Sequence, residues 1–386
     1  MPDRENEKYK LMIFAGEASA DLQASALGNK LKKLLPGIDL MGVGGPRMKD
    51  EGFRLFYDSS TWSAIGVIEG FARVPKFFSI MRGMAEAIVS EKPDLIIFID
   101  SPAINMRLAK FARKRKFKTL YYFPPSAWTK KVKRAKAIAG RVDHVIATFS
   151  FTADFYREHG IPIEYFGHPL LDLVERITPQ EAIRNLGLKE NTVYLGLLPG
   201  SRVQEVKTLL PVMIETGKIL KEKIPGLEFL LPVALPVLND WIRPQVEESG
   251  LPVHIFEKRN FEVMQASNAL LMSSGSATLE GAIMKKPMTV IYRLNKFDWH
   301  LANFLMKSPH ASLPNIMLGR GVLPEFLQDN MTAPRISQEV YLQLTDPARR
   351  QEIAGGLEKI REFLGEPGVI DRVAEYIAGI LINDKK

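Results

Sequence analysis

Short apolar runs recur along this chain, most of them ending in glycine, proline or a small polar residue. In the first half they fall at 11–15, 40–46, 94–100, 119–125, 144–148 and 163–169. They are continuous and not alternating, so the strands they predict are covered on both faces, as in a parallel sheet. Between them lie stretches of helical spacing, the first over 22–35. A polar linker over 175–191, with its own short helix, interrupts the pattern. It restarts with strands at 193–198, 227–233, 253–256, 269–273 and 288–292, and from 347 the chain is helical and charged. Strands alternating with helices predict an α/β protein with a doubly wound parallel sheet, here twice over. The expected organisation is a Rossmann-like domain over 1–173, a second over 174–345, and terminal helices over 346–386 that pack on the first domain or on a partner subunit.

A chain of 386 residues exceeds one ordinary core, which agrees with two domains. No apolar stretch approaches the ~18 residues of a membrane span. The first ten residues are charged and lack the apolar core of a secretory signal. Cysteine is absent, which fits a reducing compartment and removes thiolate metal sites, so a cytoplasmic location is expected. The net charge of +8 favours anionic partners. Much of it is concentrated at Lys114, Arg115, Lys116, Lys118, Lys130, Lys131, Lys133, Arg134 and Lys136. No nucleic-acid-binding module accompanies that charge, so nucleic acid is not an expected partner. A solvated basic face and a membrane- or phosphate-binding face both stay open. Over 65–84, Ile65, Phe71, Phe77, Phe78 and Met84 are interleaved with Arg73, Lys76 and Arg82, and Pro75 breaks the run. This suits either a membrane-surface or acyl-chain-binding element or a helix pair packed on the sheet.

Candidate chemistry lies at the strand exits. In the loop from Leu197 to Glu205, Pro199-Gly200 makes a turn and Ser201 is expected to cap the following helix, with Gln204 completing a capping box. Arg202 is left without a structural duty; positive charge at a helix N-terminus is poor for the helix and good for a phosphate. A plain surface arginine is the alternative. Ser274-Gly275-Ser276 opens another helix as a phosphate cradle, and Glu280, too far from Ser276 for a capping box, is expected to be available for sugar hydroxyls. Asp100, at the carboxyl end of its strand, suits a general base, or equally a turn-forming or capping aspartate. Gly42-Val43-Gly44-Gly45-Pro46 is not a dinucleotide fingerprint, because proline stands where a helix should open. Six scattered histidines offer no ligand spacing, so neither metal nor cofactor is expected. Two such halves, with phosphate loops in the second, point to a GT-B glycosyltransferase whose domains face a cleft.

Eight motifs in one order carry a resemblance over nearly the whole chain. They are Gly16-Glu17-x-Ser19-x-Asp21, Gly42-Val43-x-Gly45-Pro46-Arg47-Met48, Ile99-Asp100-Ser101-Pro102-x-x-Asn105, Gly167-His168-Pro169, Leu198-Pro199-Gly200-Ser201-Arg202-x-x-Glu205, Ser274-Gly275-x-Ala277-x-Leu279-Glu280, Leu313-Pro314-Asn315-Ile316 and Pro324-Glu325-x-Leu327-Gln328. Together they resemble the lipid-A-disaccharide synthases, inverting GT-B enzymes. That resemblance implies transfer of 2,3-diacylglucosamine from a UDP-activated donor to 2,3-diacylglucosamine 1-phosphate, giving a β-1,6 disaccharide and UDP without a metal. It implies Asp100 as base for the acceptor 6-hydroxyl and Arg202 as the cation on the departing diphosphate. Ser201, Glu205, Ser274, Gly275 and Ser276 would hold the donor, Glu280 its ribose, and Asn315, Glu325 and Gln328 would complete that site. Glu17, Ser19, Asp21, Gly45, Asn105 and Trp128 would form the acceptor side. The implied partners are a UDP-activated acylated glucosamine, a phospholipid-like acceptor and the cytoplasmic face of the inner membrane, where the protein would be peripheral; a homodimer stays open.

The chain departs from the family pattern at Ala20, Ala103, Ile104, Lys130 and Ser150, all in the first domain. The donor expectation is therefore the firmer of the two. A transferase or 2-epimerase using another UDP-N-acetylhexosamine is the rival within enzymes, and a non-catalytic lipid- or nucleotide-binding relative the rival outside them.

Overall fold

The structure, a computed structural model, describes residues 9–59, 74–124, 132–174, 177–294 and 309–383. The chain forms two compact units, one of Met1–Leu173 with Leu364–Lys386, the other of Val174–Phe363.

Unit one is built on a seven-stranded parallel sheet: β1 (Lys10–Ala15), β2 (Asp39–Gly44), β3 (Arg54–Asp58), β4 (Leu95–Ile99), β5 (Thr119–Tyr122), β6 (His144–Ala147) and β7 (Glu164–Tyr165), in the order β3-β2-β1-β4-β5-β6-β7. The continuous apolar runs have the expected cause. Leu11, Ile13, Leu95, Ile97 and Ile99 pack on one face against Ala24, Leu27 and Leu31 of the helix Ala18–Leu34. Met12, Phe14, Ile96 and Phe98 pack on the other against Ile88 of Val74–Glu91 and Leu108 and Ala112 of Pro102–Lys114. Each such side chain, fully buried, is worth roughly 1.5–3 kcal/mol, so the two central strands anchor the unit. The helix Val369–Asn383 adds Val373, Ile377 and Leu381 to the first face. Asp172 fastens its start, accepting from the amides of Gly368 (2.6 Å) and Ile370 (2.8 Å).

Unit two carries six parallel strands: β8 (Tyr194–Leu198), β9 (Glu228–Val233), β10 (Val253–Glu257), β11 (Ala269–Ser273), β12 (Met288–Tyr292) and β13 (Glu325–Leu327), in the order β10-β9-β8-β11-β12-β13. The long helix Val203–Lys223 buries Val206, Leu209, Leu210, Met213 and Leu220. The helix Pro347–Leu357 belongs to this unit, so the chain beyond 346 is shared between the two.

One expectation needs correcting. A helix does open at Pro46, spanning Pro46–Asp50 with the proline at its first position, where a missing N–H costs nothing. Pro75 stands in the first turn of Val74–Glu91, where its missing N–H is tolerated. Within that helix Met84 and Ile88 are buried in the core, so its later turns pack on the sheet; the part of the basic amphipathic stretch before 74 lies outside the described residues. No described helix is long and apolar enough to cross a membrane.

Candidate active site

In each sheet the chain reverses its direction of winding once, between β1 and β4 in unit one and between β8 and β11 in unit two. The crevice outside the carboxyl ends of two such strands is where open α/β sheets bind ligands. Glu17, Asp100, Arg202 and Ser274 stand on the loops that leave these four strands.

In unit one β4 ends in a tight elbow. Asp100 and Ser101 both have left-handed backbone, φ 49° and 42°. Ser101 is the N-cap residue of Pro102–Lys114 but makes no side-chain cap. The elbow is held from below. Asn105, buried, donates its amide to the carbonyls of Ile99 (3.0 Å) and Asp100 (2.9 Å), and the Tyr121 hydroxyl donates to the same Asp100 carbonyl at 2.6 Å. Gly16, on the exit of β1, makes room for it: a Cβ there would stand 2.6 Å from Ser101 Oγ. Asn105, placed by motif on the acceptor side, is thus a support of the Asp100 backbone.

Glu17 occupies the N-cap position of Ala18–Leu34, and it and Ser19 are half-buried at that helix's start. Asp21 is buried and its carboxylate accepts from the amides of Gly45 (2.7 Å), Arg47 (3.0 Å) and Met48 (3.1 Å). Burial pushes its pKa up, while these amides and Arg47 pull against that. Gly45 has no space for a side chain, since a Cβ would lie 2.8 Å from Asp21 Oδ2. Asp21 and Gly45 therefore join the first helix to the second in one closed contact. Trp128 and Lys130 lie outside the described residues.

In unit two the loop after β8 differs from its expected capping. The helix begins at Val203 with Arg202 as N-cap residue and no side-chain cap, and Gln204 is exposed. Glu205 replaces the capping box: its Oε2 accepts from the Ser201 amide at 3.1 Å and its Oε1 meets Arg202 Nη1 at 3.3 Å. Gly200 permits this with φ 110°, a Cβ there falling 2.2 Å from Glu205 Oε2. Tyr292, at the end of β12, lies close by: burial raises its phenol pKa, the Glu205 charge adds to the rise and Arg202 opposes it.

After β11, Gly275 and Ser276 are exposed at the start of the short helix Ala277–Ile283, and nothing lies within 4 Å of a Cβ on Gly275. Glu280 is not left open to ligand as expected, because it is buried and Asn260 Nδ2 donates to its Oε2 at 2.7 Å. The motif residues farther on form a hub. Glu325 accepts from the amides of Ala311 and Ser312 (both 2.9 Å), from Ser312 Oγ (2.5 Å) and from Asn315 Nδ2 (2.8 Å). Asn315, wholly buried, also donates to Leu323 O and accepts from the amides of Val322 and Leu323. Ser274 Oγ joins this hub by donating to the Ala311 carbonyl at 2.8 Å. Asn315 and Glu325 thus brace the wall of the site. Gln328 differs from both: its backbone is left-handed, φ 53°, and its buried Nε2 has no hydrogen-bond partner among the described residues. Such an orphan donor at the end of β13 suits a ligand acceptor atom.

Removing the hub's acceptor should cost stability. Glu325→Ala strips the partner from several donors at once, and unit two is expected to lose about 2–4 kcal/mol, read as a lower urea midpoint.

Two doubly wound parallel-sheet units, each with polar loops at its reversal point, define a GT-B protein. Solved structures with this architecture include UDP-GlcNAc 2-epimerase from Neisseria meningitidis bound to UDP-GlcNAc, at TM-score 0.62 and 12% identity, covering 96% of this chain and 100% of that one. The S. aureus MnaA–UDP co-structure matches at TM-score 0.63 and 11% identity over 96% of each chain. At such identities the likeness is one of fold. The family model described as Lipid-A-disaccharide synthetase matches residues 11–376. Lipid-A-disaccharide synthase of Geobacter sulfurreducens is 36% identical over 378 residues, 98% of each chain, and that of Myxococcus xanthus 36% over 373 residues, covering 96% of this chain and 97% of the relative. The chain belongs to the lipid-A-disaccharide synthase family, glycosyltransferases of lipid A biosynthesis.

Proposed function

We propose that this enzyme transfers 2,3-diacylglucosamine from its UDP-activated form to the 6-hydroxyl of 2,3-diacylglucosamine 1-phosphate, with inversion and without a metal. Asp100 takes the proton of the acceptor hydroxyl as its oxygen attacks the anomeric carbon. The bond from that carbon to the diphosphate breaks, and Arg202 stabilises the charge that develops on UDP. Ser201, Ser274, Gly275, Ser276 and Gln328 contact the donor, and Glu280, buried against Asn260, steadies the helix that follows β11. Glu205, Asn315 and Glu325 hold the loops in place. Enzyme and lipid substrates meet at the cytoplasmic face of the inner membrane.

The observation that carries this reading is the Asp100 elbow, a carboxylate on strained backbone at the winding reversal of its sheet. Family membership over nearly the full chain supports the donor and acceptor classes. The test is a turnover assay with UDP-2,3-diacylglucosamine, with and without 2,3-diacylglucosamine 1-phosphate, following UDP and product mass. Disaccharide is expected only when both substrates are present. UDP release without disaccharide, or disaccharide from a different acceptor alone, would replace the acceptor assignment and direct attention to Ala103, Ile104 and Lys130.

A further inference from the structure

The geometry points to Tyr121 as a positioning residue for catalysis: from the neighbouring strand, its hydroxyl and the Asn105 amide pin the backbone turn that presents the Asp100 carboxylate. The inference rests on the base role proposed for Asp100.

β4 and β5 run parallel, with Phe98 opposite Tyr121 and Ile99 opposite Tyr122. The ladder continues one step past the end of β4, because the Asp100 amide donates to the Tyr122 carbonyl at 3.1 Å. The chain then turns sharply out of the sheet. Two successive non-glycine residues adopt left-handed backbone, which persists only where surroundings hold it. The holding groups are identifiable. The Asp100 carbonyl has two lone pairs, and Tyr121 fills one at 2.6 Å while Asn105 fills the other at 2.9 Å. Ser101 O, next along, accepts the amides of Ile104 (3.2 Å) and Asn105 (3.0 Å), so one asparagine braces both carbonyls of the turn.

Tyr121 is itself closely packed. It is wholly buried, and its ring packs against Phe98 with centroids 6.5 Å apart. Burial, with the Asp100 charge adding to it, holds the phenol pKa well above its ordinary range, so the hydroxyl remains a donor throughout the working pH range. A buried tyrosine needs only some acceptor for its hydroxyl, and a carbonyl of an undistorted strand would serve. Here the acceptor is the carbonyl of the residue whose carboxylate must meet the substrate, where a displacement of about 1 Å can cost two orders of magnitude in rate.

Steady-state kinetics on Tyr121→Phe, Asp100→Asn and the double variant test this. Tyr121→Phe keeps the ring and removes only the hydroxyl, and kcat is expected to fall about 10- to 100-fold with KM for both substrates and UDP affinity within about twofold. In the Asp100→Asn background the same change should cost less than about threefold, because the group being positioned is no longer a base. Asn105→Leu, which removes the other donor, should repeat the kcat loss and keeps the test open if Tyr121→Phe folds poorly. The inference is overturned if kcat of Tyr121→Phe matches the parent, if the loss appears in UDP affinity, or if it is equally large without the Asp100 carboxylate. Full turnover by Asp100→Asn would remove the base assignment and this inference together; an inactive Asp100→Asn beside a fully active Tyr121→Phe would remove this inference alone.

Discussion

Asp100→Asn is expected to lower kcat by about 10²–10⁴ while leaving UDP affinity within about twofold of the parent. An amide has nearly the shape of the carboxylate but accepts no proton at neutral pH. The substitution is also compatible with the elbow. The hydrogen bonds from Tyr121 and Asn105 go to the Asp100 main-chain carbonyl, which asparagine retains. At φ 49° asparagine is one of the few residues that enter left-handed backbone readily, whereas alanine would add roughly 1–2 kcal/mol of strain. Loss of rate in the asparagine variant therefore reports chemistry, and loss in an alanine variant would mix chemistry with geometry. Kinetics combined with a UDP titration would decide the matter. A kcat within about tenfold of the parent would place the proton acceptor elsewhere.

How much of this was legible in the sequence follows from the range over which each interaction acts. Central strands are buried on both faces, so their side chains are apolar without interruption, and β1, β4, β8 and β11 could be read directly. β3 and β13 could not. Both are edge strands whose residues are half-buried or exposed, so they carry mixed sequences such as Arg54-Leu55-Phe56-Tyr57-Asp58 and lose the apolar signal. Asp100 and Arg202 were visible because each stands at a strand exit, a position fixed by neighbours in the chain. The partners of the polar groups were not. Asp21 meets the amides of Gly45, Arg47 and Met48, and Tyr121 meets Asp100, across about twenty residues and a strand or a helix. Only the winding of the sheet brings them together. Even the local cap after β8 was misread, because Ser201 and Gln204 fit a capping box by spacing alone. The left-handed Gly200 turns the loop so that Glu205 reaches back instead.

Arg202→Ala is expected to lower kcat/KM by about 10²–10³ and, unlike Asp100→Asn, to weaken UDP binding by about 10-fold or more. The starting state explains why the arginine can be recruited. Arg202 is paired with Glu205 at 3.3 Å, three residues apart on one helix turn, with its side chain 42% exposed. A pair so placed is worth no more than about 1 kcal/mol. A diphosphate brings more charge and a geometry that takes a guanidinium by two parallel bonds. It would also meet the amides at the start of Val203–Lys223, where negative charge is favoured. Loss of the Glu205 contact is therefore a small cost beside the bonds a diphosphate would offer. Glu205 keeps the Ser201 amide, so the loop stays closed. Because the attraction grows as charge moves onto the leaving group, the larger part of the loss should fall on kcat, and Arg202→Lys should restore only a fraction of it. Titrating UDP into the parent and Arg202→Ala at two salt concentrations separates the contributions, since the arginine's share should shrink as salt rises. An alanine variant that binds UDP as tightly as the parent and turns over within about tenfold would assign the diphosphate to Ser274, Gly275 and Ser276 alone.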